Sequence, residues 1–397
     1  MVTNEKKETI LKTLIENLDL PDSAYEKAKK RYEDLGRWFD REECQLKSND
    51  VHIFPQGSFM LGTATRPINP DEEYDLDLAC KLRDGISKKT HTQQFIKDII
   101  GLELELYRKA RGIKEKLCSK HRCWRLEYKD DISFHLDIVP AIPADDIKKA
   151  FLYESMEKRG VESGIAKSAS ETAISITDDR NPDYNKISDT WNISNPEGYS
   201  IWFSSRMELN NNIVLLEKAQ VDPVPLYKNK KTLQRCIQIL KRHRDIMFED
   251  NESKPISIII TTLAARAYNG EDDLSLALNN ILNKMPEMIN STIPRVPNPV
   301  NPQEDFADRW AMPKYRHLNL EQNFLIWTKQ VKKDLSEITS TEDTQFIRES
   351  FNKRFAVNIG DEELKKKLGV SKINTAFSRN TKEHVIADPI KPWKYEV

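Results

Sequence analysis

Several things are scarce in this chain, and each scarcity excludes a class of protein. Glycine is held to 12 of 397 residues and proline to 19, without low-complexity tracts or internal repeats, which leaves out fibrous and disordered chains. Five cysteines, an odd number, are scattered at Cys44, Cys80, Cys118, Cys123 and Cys236, a pattern suited to a reducing compartment rather than to a disulfide framework. No apolar run reaches the length of a membrane span. The first residues, "MVTNEKKETILKTLIENL", carry charges at helical spacing and do not resemble a secretory signal, so a cytoplasmic location without membrane attachment is expected. Net charge is also nearly absent: 62 basic and 63 acidic residues leave -1, so no basic coat for nucleic acid is expected, although a local positive pocket for phosphates is compatible with it.

What remains is 38% apolar and 31% charged, the profile of a helix-rich globular protein, and the length favours two packed lobes over one core. Between Pro21 and Asp40, residues Tyr25, Ala28, Tyr32, Leu35 and Phe39 recur at three and four, predicting one long amphipathic helix that braces both lobes. "EYDLDLACKL", "CWRLEY" and "DISFHLDIV" read as strands, with a helix from about His91 to Leu117 between the first two. Beyond Pro196 the patterns turn helical: "KKTLQRCIQILKRHRDIMF" and "PISIIITTLAARAY", a proline-rich crossover, then "FLIWTKQVKKDLSEI" and "DTQFIRESFNKRFAV". The expected fold class is α+β, with a mixed sheet and helices over residues 1–200 and a helical lobe over 201–397.

The chemistry concentrates in "FPQGSFMLGTATRPINPDEEYDLDLACKL". Strand alternation points Asp75 and Asp77 to one face, roughly 7 Å apart along the strand, while Leu76 and Leu78 enter the opposite core. Paired carboxylates repel and are costly to desolvate, so their sharing a face calls for a cation. In "DISFHLDIVP" the same alternation sets Ser133, His135 and Asp137 opposite Phe134, Leu136 and Ile138, and Asp137 completes a trio of hard oxygen ligands suited to Mg²⁺. A lone D-x-D is more often a solvated sheet face. Here Gln56, Gly57 and Ser58 precede it, and a Gly-Ser turn opening a helix can offer backbone N-H groups and a hydroxyl to a phosphate chain.

This order of motifs resembles the DNA polymerase β-like nucleotidyltransferases, and the run "FPQGSFMLGTATRPI…EYDLDLAC" is similar to the bacterial CD-NTases, the cyclic-oligonucleotide synthases of anti-phage CBASS systems and relatives of cyclic GMP-AMP synthase. "NPEGYSIWF", "LQRCIQILKRHRDIMF", "PISIIITTLAARAY" and "NPVNPQEDFADRW" resemble that family's helical-lobe signatures. The resemblance implies a polymerase β-like core and a helical lobe that completes the nucleotide pocket. It further implies triphosphate binding by Gly57 and Ser58, with Gln56 beside them, and by Lys241 and Ser257 from the second lobe. Asp75, Asp77 and Asp137 become catalytic residues and ligands of two Mg²⁺ ions, with Mn²⁺ as a substitute. Glu73 shares their face but matches no family ligand.

Two departures bear on base selection: Ile258 follows Ser257 where several cyclic dinucleotide synthases place an aromatic residue, and Leu61 stands where some relatives carry Tyr. On residue grounds alone, Lys241, Arg242 and Arg244 read equally as a solvated basic helix face, and Ser257 as a helix cap.

The implied reaction is attack of one nucleotide's hydroxyl on the α-phosphorus of another, releasing pyrophosphate, then closure of a cyclic di- or trinucleotide. Asp137 is the expected proton acceptor. The implied partners are nucleoside triphosphates, ATP among them, a downstream CBASS effector reached through the product, and regulatory proteins, with no nucleic-acid template. The alternatives are a transferase modifying RNA, a protein or a small molecule, and an inactive nucleotide-binding module; the intact trio argues against the last. "CSKHRC" offers Cys118, His121 and Cys123 as three soft ligands for a structural zinc without a fourth nearby, and "WKYEV" at the C-terminus is a candidate modification tail.

Overall fold

The computed structural model describes residues 2–69, 72–129, 133–208 and 230–369. The tail from Ser378 to Val397, with "WKYEV", lies outside them. In chain order the elements are α1 (Asn4–Leu18), α2 (Asp22–Phe39), β1 (Val51–Pro55), α3 (Gly57–Met60), β2 (Tyr74–Leu82), α4 (Gln93–Ala110), β3 (Cys118–Ser119), β4 (Trp124–Tyr128), β5 (Phe134–Pro143), α5 (Asp146–Lys158), α6 (Ser163–Glu171), β6 (Ile174–Ile176), β7 (Asn192–Ser194) and α7 (Pro196–Met207). They continue with α8 (Thr232–Phe248), α9 (Ser257–Ala267), α10 (Leu274–Lys284), β8 (Pro297–Asn298), β9 (Asn301–Asp305), α11 (Asp308–Ala311), α12 (Leu320–Thr339), α13 (Thr344–Phe355) and α14 (Asp361–Lys367).

The sheet is mixed, as expected. Its order is β1-β2-β5-β4-β3, with β6 pairing the far end of β5 and β7 pairing β6. β2 and β5 run parallel at the centre, whereas β1, β4 and β6 pair antiparallel. Alternation sorts the two faces. Leu76, Leu78, Leu136 and Ile138 enter a core closed by Tyr32, Leu35 and Phe39 of α2 and by Ile96, Ile100 and Leu104 of α4. The opposite face has a small apolar patch of Phe54, Ala79, Ala141, Ile174 and Ile176, and its other end carries the acids.

The long amphipathic helix forms as its spacing predicts, and all five of its periodic residues are buried in the sheet's core. Reaching into the second lobe falls to its neighbour: Ile10, Leu11, Leu14, Ile15 and Leu18 of α1 share a core with Leu233, Ile237 and Leu240 of α8. The proline-rich crossover folds into the β8–β9 hairpin. Lys81 of β2 and Glu197 at the start of α7 form a buried ion pair, 2.6 Å apart, that ties the sheet to the helices that follow it.

A second tie between the lobes is polar. Side chains along one face of α8 donate to successive carbonyls of the loop after α3: Gln234 to Leu61 at 2.9 Å, Lys241 to Thr63 at 3.0 Å, Gln238 to Ala64 at 2.7 Å, and Arg242 to Arg66. These side chains are buried, so satisfying otherwise orphaned carbonyls is what makes their burial tolerable.

Candidate active site

The parallel register of β2 and β5 sets Asp77 directly opposite Asp137 and Asp75 opposite His135. Ligand atoms of Asp75, His135 and Asp137 lie within 4.8 Å of one another, the one group of metal-ligating side chains with such geometry among the described residues. Asp75, Asp77 and Asp137 thus share one face of two adjacent strands, with Asp77 outside the mutually close group. Their environments differ: the Asp75 side chain is 55% exposed, while Asp77 is half-buried beneath the turn at Gly57. Burial, reinforced by the charges of Asp75 and Asp137, pushes the Asp77 carboxyl up to about 7, against the pull of His135 and Arg125.

Two basic side chains already face this cluster, and only one of them was visible on the strand face in the sequence. His135 bridges Asp75 (Nε2 to Oδ1, 2.9 Å) and Glu73 (Nδ1 to Oε2, 3.2 Å), and its hydrogen bond to Asp75 favours the imidazolium form. Arg125 grips Asp137 with two 2.7 Å bonds from Nε and Nη2. Arg125 reaches Asp137 because the antiparallel register of β4 and β5 pairs those two positions; no local pattern marks it. His135 and Arg125 pull the Asp77 carboxyl down without offsetting its burial and the charges of Asp75 and Asp137. Hard carboxylate oxygens in that condition fit a divalent cation of the Mg²⁺ or Mn²⁺ class.

The Gly-Ser turn sits against the acids. Gly57 opens the short helix α3 with φ +63°, and a Cβ at this position would stand 2.2 Å from Asp77 Oδ2. Glycine is therefore required twice, for its left-handed backbone and for the close approach of Asp77. The Gln56 amide donates to the Asp77 carbonyl at 2.8 Å, stitching the turn to β2. Gln56 contributes through this bond and through Nε2 to the Leu78 carbonyl at 3.3 Å, not through the cleft wall.

Above the turn a cleft of about 910 Å³ opens between the lobes, lined by Gly57, Ser58, Asp75 and Asp77 from one side and by Lys241, Arg244 and Ser257 from the other. Asp137 lies opposite Asp77 on β5, outside the residues that line the cleft. The basic residues of α8 are not a solvated face: Lys241, Arg242 and Arg244 are all buried. Burial, with Arg244 adding repulsion, pushes the Lys241 ammonium down to about 8. Ser257 is the first residue of α9 rather than its cap, and its hydroxyl accepts from Arg244 at 3.1 Å. Leu61 and Ile258, the two departures from the aromatic pattern, both line the cleft. The three soft ligands of "CSKHRC" do not assemble: His121 is paired with Asp179 at 2.8 Å and with Arg180.

Comparison with known proteins bears on the family and the fold. Residues 51–140 match the model of the nucleotidyltransferase domain described as cyclic GMP-AMP synthase DncV-like. A c-di-GMP synthase from Roseivirga ehrenbergii is 31% identical over 316 residues, covering 77% of this chain and 73% of the relative. The cyclic dinucleotide synthase CdnG of Bradyrhizobium diazoefficiens is 26% identical over 328 residues, 76% of this chain and 70% of the relative. Among solved structures, the B. diazoefficiens CD-NTase CdnG in complex with GTP aligns with a TM-score of 0.61 at 20% identity, over 92% of this chain and 98% of that one. Vibrio cholerae DncV in complex with the linear intermediate 5′-pppA(3′,5′)pG aligns with a TM-score of 0.52 at 15% identity, over 91% and 87%. A mixed sheet that pairs two acidic strands under a Gly-Ser turn, a helical lobe across the cleft, and relatives matched over most of their length lead to one conclusion: the chain belongs to the CD-NTase family of nucleotidyltransferases.

Proposed function

We propose that the protein is a template-free, divalent-metal-dependent synthase that joins nucleoside triphosphates into a cyclic di- or trinucleotide second messenger, releasing pyrophosphate, in anti-phage defence of the CBASS type. The carrying observation is the register that seats Asp77 against Asp137, with Asp75 within ligand reach, directly under the Gly57-Ser58 turn. The relative named for c-di-GMP synthesis and the GTP complex of CdnG favour GTP as a substrate, and the resemblance in sequence adds ATP. The product acts on a separate effector protein, and regulatory partners act on the synthase.

In this reading Ser58 and the backbone of the turn bind the triphosphate from below, while Lys241 and Ser257 bind it from above, Lys241 through its ammonium and Ser257 through its hydroxyl. The charge the triphosphate brings restores the Lys241 proton affinity that burial depresses. Asp75, Asp77 and Asp137 would hold two divalent cations, whose bound chemistry is to acidify the attacking hydroxyl and stabilise the leaving oxygens. Arg125 fixes the orientation of Asp137 through its two bonds, and Asp137 accepts the proton of the attacking hydroxyl. With Leu61 and Ile258 in the cleft, apolar contact replaces aromatic stacking on the base.

Incubating the purified protein with labelled GTP and ATP and either Mg²⁺ or Mn²⁺ tests this. A phosphatase-resistant small product together with pyrophosphate is expected. Label appearing only in RNA or protein would instead make the enzyme a modifying transferase, and no pyrophosphate at all would make it a binding module.

A further inference from the structure

A second cavity, of about 860 Å³, lies away from the catalytic cleft, where the α5–α6 turn, the end of α7, the end of α9 and the β8–β9 hairpin meet. Its wall carries three arginines: Arg159 of the turn, Arg206 of α7 and Arg266 of α9. Trp202, Val161, Ile165, Met288 and several prolines of the hairpin supply an apolar surface beside them.

None of these arginines is ion-paired to a carboxylate among the described residues. Arg206 donates to the carbonyls of Ala265 and Tyr268, both at 3.0 Å, and Arg266 to that of Pro297 at 2.6 Å. Both are partly buried, and burial depresses the proton affinity of each guanidinium; at Arg266 the charge of Arg159 adds to the effect. Two acids reach the cavity. Glu162 spends its carboxylate on the amides of Gly164 and Ile165, at 2.9 and 3.0 Å, as the cap of α6, and Glu208 sits where α7 ends. Half-desolvated guanidinium groups held by neutral carbonyls, facing a cavity of small-molecule size, are the setting in which an anion binds well.

We propose that this cavity is a binding site for a small anionic molecule, one that carries a phosphate or carboxylate group on a planar or apolar body. The arginines take the anion, and Trp202 and the hairpin prolines take the body. Arginine forks suit both anions through bidentate geometry, and the catalytic reading plays no part in the assignment.

Ligand-observed ¹⁹F NMR of the full chain with 4-fluorophenyl phosphate and with 4-fluorobenzoate tests it and separates the two anions. Broadening of at least one probe by the wild type is expected. Arg159→Glu, at an exposed position with no side-chain partner among the described residues, should weaken binding about tenfold or more, and Arg206→Gln should do likewise. Lys241→Met, in the catalytic cleft, should leave binding intact, and Arg159→Glu should leave nucleotide turnover unchanged. No broadening with either probe, binding that survives both arginine changes, or binding abolished by Lys241→Met would overturn the assignment.

Discussion

Replacing Lys241 by Met separates function from stability at a single position. Lys241 is 8% exposed, and among the described residues its ammonium donates only to the Thr63 carbonyl, at 3.0 Å. Its proton affinity falls from an ordinary 10.5 to about 8. At 1.36 kcal/mol for each tenfold change in the proton equilibrium, carrying that charge at neutral pH costs the nucleotide-free fold about 3 kcal/mol. Removing the ammonium, however, leaves the buried Thr63 carbonyl without that donor, which costs roughly 1–3 kcal/mol.

Methionine keeps the unbranched stem and the two effects offset, so Lys241→Met should match the wild type to within about 2 kcal/mol in urea unfolding at pH 7. The pH dependence has a definite sign. Below pH 8 the lysine is protonated in both states and the burial cost is fully present. Between about 8 and 10.5 the unfolded chain binds more protons than the folded one, so this group makes wild-type stability rise with pH. That rise should vanish in the variant. Nucleotide affinity, by contrast, should fall: losing one charged contact to a triphosphate corresponds to roughly 10- to 150-fold by calorimetry with GTP. A stability loss well above 2 kcal/mol with unchanged GTP affinity would make Lys241 a structural tie and refute the reasoning.

Other positions give sharper or simpler outcomes. Gly57→Ala forces a Cβ to within 2.2 Å of Asp77 Oδ2 at a φ of +63°; a loss of about 1–2 kcal/mol in thermal unfolding is expected from the backbone alone, and displacement of Asp77 should lower turnover on the order of 100-fold. Asp137→Asn should abolish pyrophosphate release while leaving GTP affinity within a few-fold; an active variant would end its role as proton acceptor. Lys81→Met strands a buried Glu197 carboxylate and should cost roughly 3–5 kcal/mol in urea unfolding, most of it recovered in the Lys81→Met/Glu197→Gln double variant, where equal losses in both would show that packing, not charge, decides.

What the sequence revealed follows the range of each interaction. The period-2 alternation of β2 and β5 is local, and it correctly separated Leu76, Leu78, Leu136 and Ile138 from Asp75, Asp77 and Asp137. The parallel register that faces Asp77 with Asp137 is set by long-range pairing and had no sequence signal. Arg125 was missed for the same reason: its partner is 12 residues away on a neighbouring strand. His135 was visible on the acidic face, but its bridge to Glu73 and Asp75 was not. The α8 cations were legible in two ways, as a solvated face or as a phosphate site. Burial against carbonyls of residues 61–66 removes the first reading, and only the tertiary fold could do so. The long helix was predicted correctly from its stripe, yet which lobe that stripe covers depended on packing that no period encodes.

The central claim is that carboxylates from two neighbouring strands converge to hold divalent cations beside the triphosphate. A crystal grown with Mn²⁺ and a non-hydrolysable GTP analogue, measured at a wavelength where manganese scatters anomalously, addresses it directly. The expected result is anomalous density between Asp75, Asp77 and Asp137, with phosphate oxygens reaching toward the Gly57-Ser58 turn. Nucleotide bound in the cleft without density among those three carboxylates, or manganese found only elsewhere on the protein, would contradict the account.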